Sequence, residues 1–155
     1  MSSTKFSAQD DTEFKLASGD YSAVVTRRGA ALRSLQYRGR NLVVPFEPAS
    51  QIPDFRGVIC APWPNRLADG RYLWNGKEIQ ATINEPDRQT ALHGLVFERT
   101  WKATQRGQTA VTLETSISGE NGYPFALDLR VIYSLGEQGL VGTVTARNPG
   151  ATPIP

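Results

Sequence analysis

The sequence is poor in the residues that most often carry chemistry. It holds a single cysteine, Cys60, and a single histidine, His93. One cysteine excludes an internal disulfide, and one histidine beside it leaves no ligand set of the usual spacing for a zinc ion, so no metal is expected. Cys60 lies in the apolar run GVICA, where a thiol reads as a packed structural group rather than a nucleophile. Charge is nearly balanced: 17 Lys and Arg against 15 Asp and Glu leave a net charge of +2, interleaved along the chain. With no basic stripe, neither nucleic acid nor an anionic membrane is expected as a partner. No run is apolar enough for a membrane span, and the opening MSSTKFSAQDDTEF lacks the apolar core of a signal peptide, so the expected setting is cytoplasmic. Phosphate-binding Gly loops and nucleophile elbows are missing as well.

What is present is strand grammar. The 155 residues, 39% of them hydrophobic, are expected to form one domain over residues 1–155 with its own core. Phe125, Leu127, Leu129, Val131, Tyr133 and Leu135 alternate with polar positions, which predicts a strand with one buried face. A turn at Gly136-Glu137-Gln138-Gly139 and a partner strand from Leu140 to Arg147 complete a hairpin. Trp101 to Gln105 and Ala110 to Ser116 form another around Arg106-Gly107. Asn75-Gly76, between Arg71-Tyr72-Leu73-Trp74 and Lys77-Glu78-Ile79, is the strongest turn signal in the chain, because a type I′ turn needs positive φ at both central residues. Strands are also expected over Tyr21 to Arg27, Ala31 to Tyr37 and Asn41 to Phe46, with a loop from Phe46 to Phe55. Many short strands between turns indicate an all-β sandwich or barrel.

Two stretches stand out against this frame. In APWPNRLADGRY the prolines stiffen the backbone, and Asn65 and Arg66 are presented directly behind them. A guanidinium fork with an amide beside it suits hydroxyls or a carboxylate. Trp63 in the same segment, like Tyr72 and Trp74, reads first as a core or rim aromatic and second as the flat apolar face on which a sugar ring is gripped. His93 in TALHGLVFERTW fits a structural role, or an acid/base step near neutral pH. Asp69, Glu85, Asp87 and Glu98 surround these motifs, but their spacing singles out no catalytic pair.

Taken together, FRGVICAPWPNRLADGRYLWNGKEI, NEPDRQTALHGLVFERTW and ENGYPFALDLRVIYSL resemble, in order, the Asn-Arg, Leu-His-Gly and Gly-Tyr-Pro blocks of the aldose 1-epimerase (mutarotase) family. The resemblance implies a β-sandwich of the galactose mutarotase-like, supersandwich type. It also implies an isomerase that interconverts the α and β anomers of a hexose such as galactose or glucose, without a cofactor. Arg66 and Asn65 inherit substrate binding, Trp63 a flanking place in the sugar site, and His93 both binding and polarisation or protonation of the ring oxygen. Beyond the matched blocks, the family's pattern continues with a second histidine, an aspartate and a glutamate base, none of which this sequence holds. The resemblance therefore implies the N-terminal half of the fold, an incomplete sandwich that binds sugar weakly and lacks normal epimerase activity. Uncovered sheet edges then predict self-association. Two other readings compete: a non-catalytic carbohydrate-binding module, and a purely structural β-sandwich interaction domain.

Overall fold

The computed structural model describes residues 12–47 and 51–155, and their architecture is all-β. Strands β1 (Glu13–Ser18), β2 (Tyr21–Thr26), β3 (Leu32–Tyr37) and β4 (Arg40–Asn41) form one antiparallel sheet in sequential order. Between the sheets come β5 (Arg66–Ala68), the hairpin β6 (Arg71–Trp74) and β7 (Lys77–Gln80), and β8 (Thr90–Leu92). The second four-stranded sheet runs β12-β11-β10-β9, with β9 at Lys102–Arg106, β10 at Ala110–Glu120, β11 at Tyr123–Gly136 and β12 at Gly139–Arg147. Neither sheet closes on itself. Two 3₁₀ turns, Pro53–Phe55 and Pro86–Arg88, punctuate the connections.

Period-two alternation decides which residues meet between the sheets. Along β11 the buried set is Tyr123, Leu127, Leu129, Val131, Tyr133 and Leu135. Leu113 and Ile117 of β10 join it from one side, Phe14 and Leu16 of β1 and Ala23 and Val25 of β2 from the facing sheet. The Tyr133 hydroxyl donates to the Ala30 carbonyl at 2.9 Å, so a buried polar group crosses the seam with its hydrogen bond satisfied. Burial pushes that phenol up to about 12. Trp101 is fully buried, and its indole N–H finds the Val96 carbonyl at 3.2 Å.

The hairpins expected around Asn75-Gly76, Gly136 to Gly139 and Arg106-Gly107 all form. Asn75 and Gly76 take φ of 49° and 73°, as a type I′ turn requires. Three details differ from expectation. The alternation of Phe14 and Leu16 builds β1, which starts at the end of the opening segment read above only for its lack of a signal core; residues 1–11 of that segment, and 48–50 of the expected loop, lie outside the described residues. The strand expected over Asn41 to Phe46 shrinks to Arg40–Asn41: pairing with β3 ends near Leu42, and Phe46 instead turns inward with its carbonyl taking a bond from Arg33. Cys60 is half-buried, with burial pushing its thiol up, which keeps it protonated at neutral pH.

One close approach ties the connecting segments to the sandwich. Ala61 bridges Gly94, and the Leu95 N–H donates to the Ala61 carbonyl at 2.7 Å. A Cβ on Gly94 would lie 2.1 Å from that carbonyl oxygen, and Gly94 has φ of +72°. Gly94→Ala therefore combines left-handed strain with a backbone clash, a cost of roughly 2–5 kcal/mol. In a chain of this size the melting temperature should fall by about 5–15 °C. A calorimetric scan showing no shift would mean that the contact is not tight.

Candidate functional site

The polar cluster is built where the two short strands β5 and β8 pair. Their register sets Arg66 opposite Leu92, so the residues just outside that pair, Asn65 and His93, are brought side by side. Each adopts a left-handed backbone, with φ of 59° and 60°. For non-glycine residues this costs energy and is held only by surrounding contacts, a pattern that concentrates at functional sites.

Here the contacts are reciprocal. The Asn65 N–H donates to His93 Nδ1 at 3.0 Å, and the His93 N–H donates to the Asn65 carbonyl at 2.9 Å. Because Nδ1 accepts, the neutral imidazole carries its proton on Nε2. Burial, with the Arg66 charge adding to it and Glu85 opposing, holds the imidazole below its ordinary value. His93 at neutral pH is thus an uncharged ring with one N–H to offer.

Arg66 is held just as firmly. Its Nε and Nη2 donate to the two carboxylate oxygens of Glu85 at 2.6 and 2.8 Å, and Nη1 reaches Asn65 Oδ1 at 3.3 Å. Thr90 adds a third bond to Glu85, from its hydroxyl at 2.6 Å. The bonds from Arg66 and Thr90 bring the Glu85 carboxyl down to about 2, and the bond to Glu85 raises Arg66 above its usual value. A carboxylate that weakly basic is a poor proton acceptor, so Glu85 aims the guanidinium fork and leaves base chemistry to other groups.

Asn84 and Phe55 complete the surroundings. The Asn84 side chain clamps Leu92 from both sides, accepting from its N–H at 2.6 Å and donating to its carbonyl at 3.0 Å, which fixes the end of β8 from which His93 projects. The Phe55 ring meets His93 edge-on at 4.7 Å and Phe97 at 5.1 Å. Phe55, Phe97, Asn84, Arg28 and Glu98 also line a cleft of about 260 Å³. Trp63 stands differently from the other expected residues. Its indole N–H is committed to the Ala91 carbonyl at 3.2 Å, its ring leans on Tyr72, and it walls a neighbouring cleft of about 220 Å³ that shares Asn84 and Phe97.

The structure thus gathers Asn65, Arg66 and His93 into one hydrogen-bonded group and sets Trp63 beside it. Asn84, Glu85 and Phe55 were not singled out from the sequence. Asn84 and Glu85 precede Pro86 in the block that carries His93, and that adjacency was the available signal; nothing local marks Phe55. Among the described residues no group of three His, Cys, Asp or Glu side chains is placed to hold a metal ion.

Comparison with known proteins places the fold and the sequence in one family. The sequence pattern of the aldose 1-epimerase family matches residues 12–155. The uncharacterised protein YihR of Escherichia coli K12 is 38% identical over 90% of this chain and 46% of its own length. Galactose mutarotase of Mus musculus is 29% identical over 92% of this chain and 44% of its own. Among solved structures, a galactose mutarotase-like protein from Lactobacillus casei superposes with a TM-score of 0.73 at 20% identity, covering 90% of this chain and 45% of that one. The chain spans about half the length of the relatives it matches. The order of strands, the three sequence blocks and the match across nearly the whole chain lead to one statement: this chain belongs to the aldose 1-epimerase family.

Proposed function

We propose that the cluster of Asn65, Arg66 and His93 is the sugar-binding and ring-polarising part of an aldose 1-epimerase site, taking a neutral aldohexose such as galactose or glucose. The observation that carries this reading is the reciprocal bond between Asn65 and His93, which commits Nδ1 as an acceptor and leaves Nε2–H as a donor. A ring oxygen is a lone-pair acceptor of the matching kind. As the bond between C1 and that oxygen opens, charge gathers on the oxygen and the hydrogen bond from His93 strengthens. For the ring to open, Nε2–H passes its proton to that oxygen and the anomeric hydroxyl gives its own to a carboxylate base that the family pattern places outside these three residues; the aldehyde then rotates about the C1–C2 bond, and the reverse transfers on reclosure yield the second anomer. Arg66, aimed by Glu85, offers its remaining N–H groups to sugar hydroxyls.

A second reading, a carbohydrate-binding module without catalysis, is favoured by Glu85: the carboxylate bonded to Arg66 is tied up and too weakly basic to take the anomeric proton. Polarimetry of fresh α-D-galactose and α-D-glucose separates the two. Acceleration of mutarotation that His93→Asn, whose side chain tolerates left-handed φ, lowers by about 100-fold would support the epimerase reading and show that these residues suffice for turnover. Saturable quenching of tryptophan fluorescence by sugar, with no acceleration, fits both the binding module and an epimerase half-site without its base; acceleration on adding the remaining half found in the relatives would support the second, and none the first.

The pH response has a definite sign. A folded-state value below the ordinary 6.5 or so means that folding favours neutral His93, so the bond from Asn65 is fully present above about pH 6.5 and lost as pH falls through the lowered value. Sugar affinity should plateau on the alkaline side and decline on acidification. Affinity that rises with acid would rule out a neutral donor.

Glu85→Gln should weaken sugar binding about tenfold, because the guanidinium loses its charged two-point partner. A titration giving an unchanged dissociation constant would show that Arg66 needs no aiming.

A further inference from the structure

Backbone strain gathers in the connection between β4 and β5. Asp54 and Phe55 take φ of 49° and 56° in succession, and Gly57 follows at 67°. Of the three, only the glycine enters that region without a steric cost. The turn is closed by the Arg56 N–H, which donates to the Pro53 carbonyl at 2.9 Å. Its far end is pinned to the first sheet. The Leu32 N–H donates to the Gly57 carbonyl at 3.0 Å, the Ile59 N–H donates to the Gly29 carbonyl at 3.0 Å, and a Cβ on Gly57 would lie 2.4 Å from the Leu32 carbonyl oxygen. Adjacent left-handed residues that carry side chains persist only where their surroundings over-determine them, and such strain collects at ligand and catalytic sites.

The strained pair delivers a ring. Phe55 packs on two residues of one short run, His93 and Phe97. It meets the imidazole at a centroid distance of 4.7 Å with the planes at 60°, and Phe97 at 5.1 Å with the planes at 70°. Both are edge-to-face contacts within the range that aromatic rings favour. Phe97 is itself held closely, since a Cβ on Gly29 would lie 2.3 Å from the Phe97 carbonyl oxygen. Phe55 thus has a second, anchored partner.

His93 needs a stop of this kind. The Asn65 N–H reaches one ring atom, Nδ1. A single hydrogen bond holds that atom and leaves the ring free to swing, because the torsion that joins an imidazole to Cβ has broad, roughly two-fold wells. The bond from the His93 N–H to the Asn65 carbonyl joins backbones and does not touch the ring. An edge contact on the ring supplies the missing constraint.

We propose that Phe55 is a positioning residue for His93: its ring fixes the imidazole plane, so that Nδ1 stays on the Asn65 N–H and Nε2–H keeps one direction toward the ligand. Both rings belong to this chain, so the contact is complete without a second molecule. That the ligand is a sugar rests on the reading of the Asn65, Arg66 and His93 cluster given above; the hold of Phe55 on the imidazole does not.

Nuclear magnetic resonance tests the hold directly. His93 is the single histidine of the sequence, so its ring carbons give signals that need no further assignment. In the unaltered chain their relaxation should match that of the rigid backbone. Phe55→Leu keeps apolar bulk and removes the ring. It should mobilise the imidazole and speed exchange of the Asn65 N–H by about three- to tenfold, the worth of one aromatic pair. The Leu92 N–H, held by Asn84, should exchange as before. Phe55→Tyr should restore both properties. Phe55→Asn, whose side chain suits a left-handed backbone, gives the same loss where the leucine variant fails to fold. An imidazole as rigid as in the unaltered chain, in a variant that keeps its fold by circular dichroism, would overturn the proposal. So would equal loosening of Leu92, since the whole end of β8 would then have come apart. None of these readouts needs sugar. Titration with galactose separates the two ideas: an unaltered chain that binds none overturns the sugar-site reading alone, and an affinity that falls by a similar factor in Phe55→Leu supports both.

Discussion

The structure depends on the inner face of one strand. β11 is bonded along nearly its whole length to β10 on one side and from Asp128 onward to β12 on the other, and its alternate residues press against β1 and β2. Because side chains alternate with a period of two, a one-residue slip would turn Leu127, Leu129, Val131, Tyr133 and Leu135 outward together. Burying such a set is worth roughly 1.5–3 kcal/mol per large side chain, so the register is strongly fixed. The Tyr133 hydroxyl bond to Ala30 adds a positional check, since the shifted register would leave a buried acceptor without its donor.

On this floor the short strands β5 and β8 do a different kind of work. β5 is largely exposed and β8 buried, and their pairing serves to bring chain ends together: a three-residue ladder delivers Asn65 to His93 and Arg66 to the Glu85 and Thr90 groups. The strain of two left-handed residues is held by two reciprocal hydrogen bonds, one from the Asn65 N–H to the His93 ring and one between backbones, and the two charges of the Arg66 and Glu85 pair neutralise each other in place. The cluster is therefore rigid before any ligand arrives, which lowers the ordering cost of binding.

Much of this was legible in the sequence because period-two alternation and turn chemistry are local signals. The β11–β12 and β6–β7 hairpins follow from apolar spacing and from Asn75-Gly76, and the polar cluster follows from the Asn-Arg and Leu-His-Gly blocks. β1 escaped notice because its six residues mix charge with only two large apolar groups, and its strand character rests on pairing with β2. Asn41 to Phe46 looked like a strand because Leu, Val and Phe are common in strands, yet Phe46 found burial off the sheet. The role of Glu85 was invisible for a different reason: one carboxylate among several acquires a function only from the three donors that converge on it in space.

Loop closure divides the molecule in time. Asn65 and His93 lie 28 residues apart, with the β6–β7 hairpin between them, whereas Tyr133 and Ala30 are separated by 103. Bringing distant segments together costs more chain entropy than closing a short loop, and non-local pairing is the slower event. The polar cluster thus belongs to the part of the chain that orders locally, and the seam between the sheets to the part that orders last. A lesion at the seam would delay maturation of the protein without erasing the preference of residues 65–93 for their native arrangement.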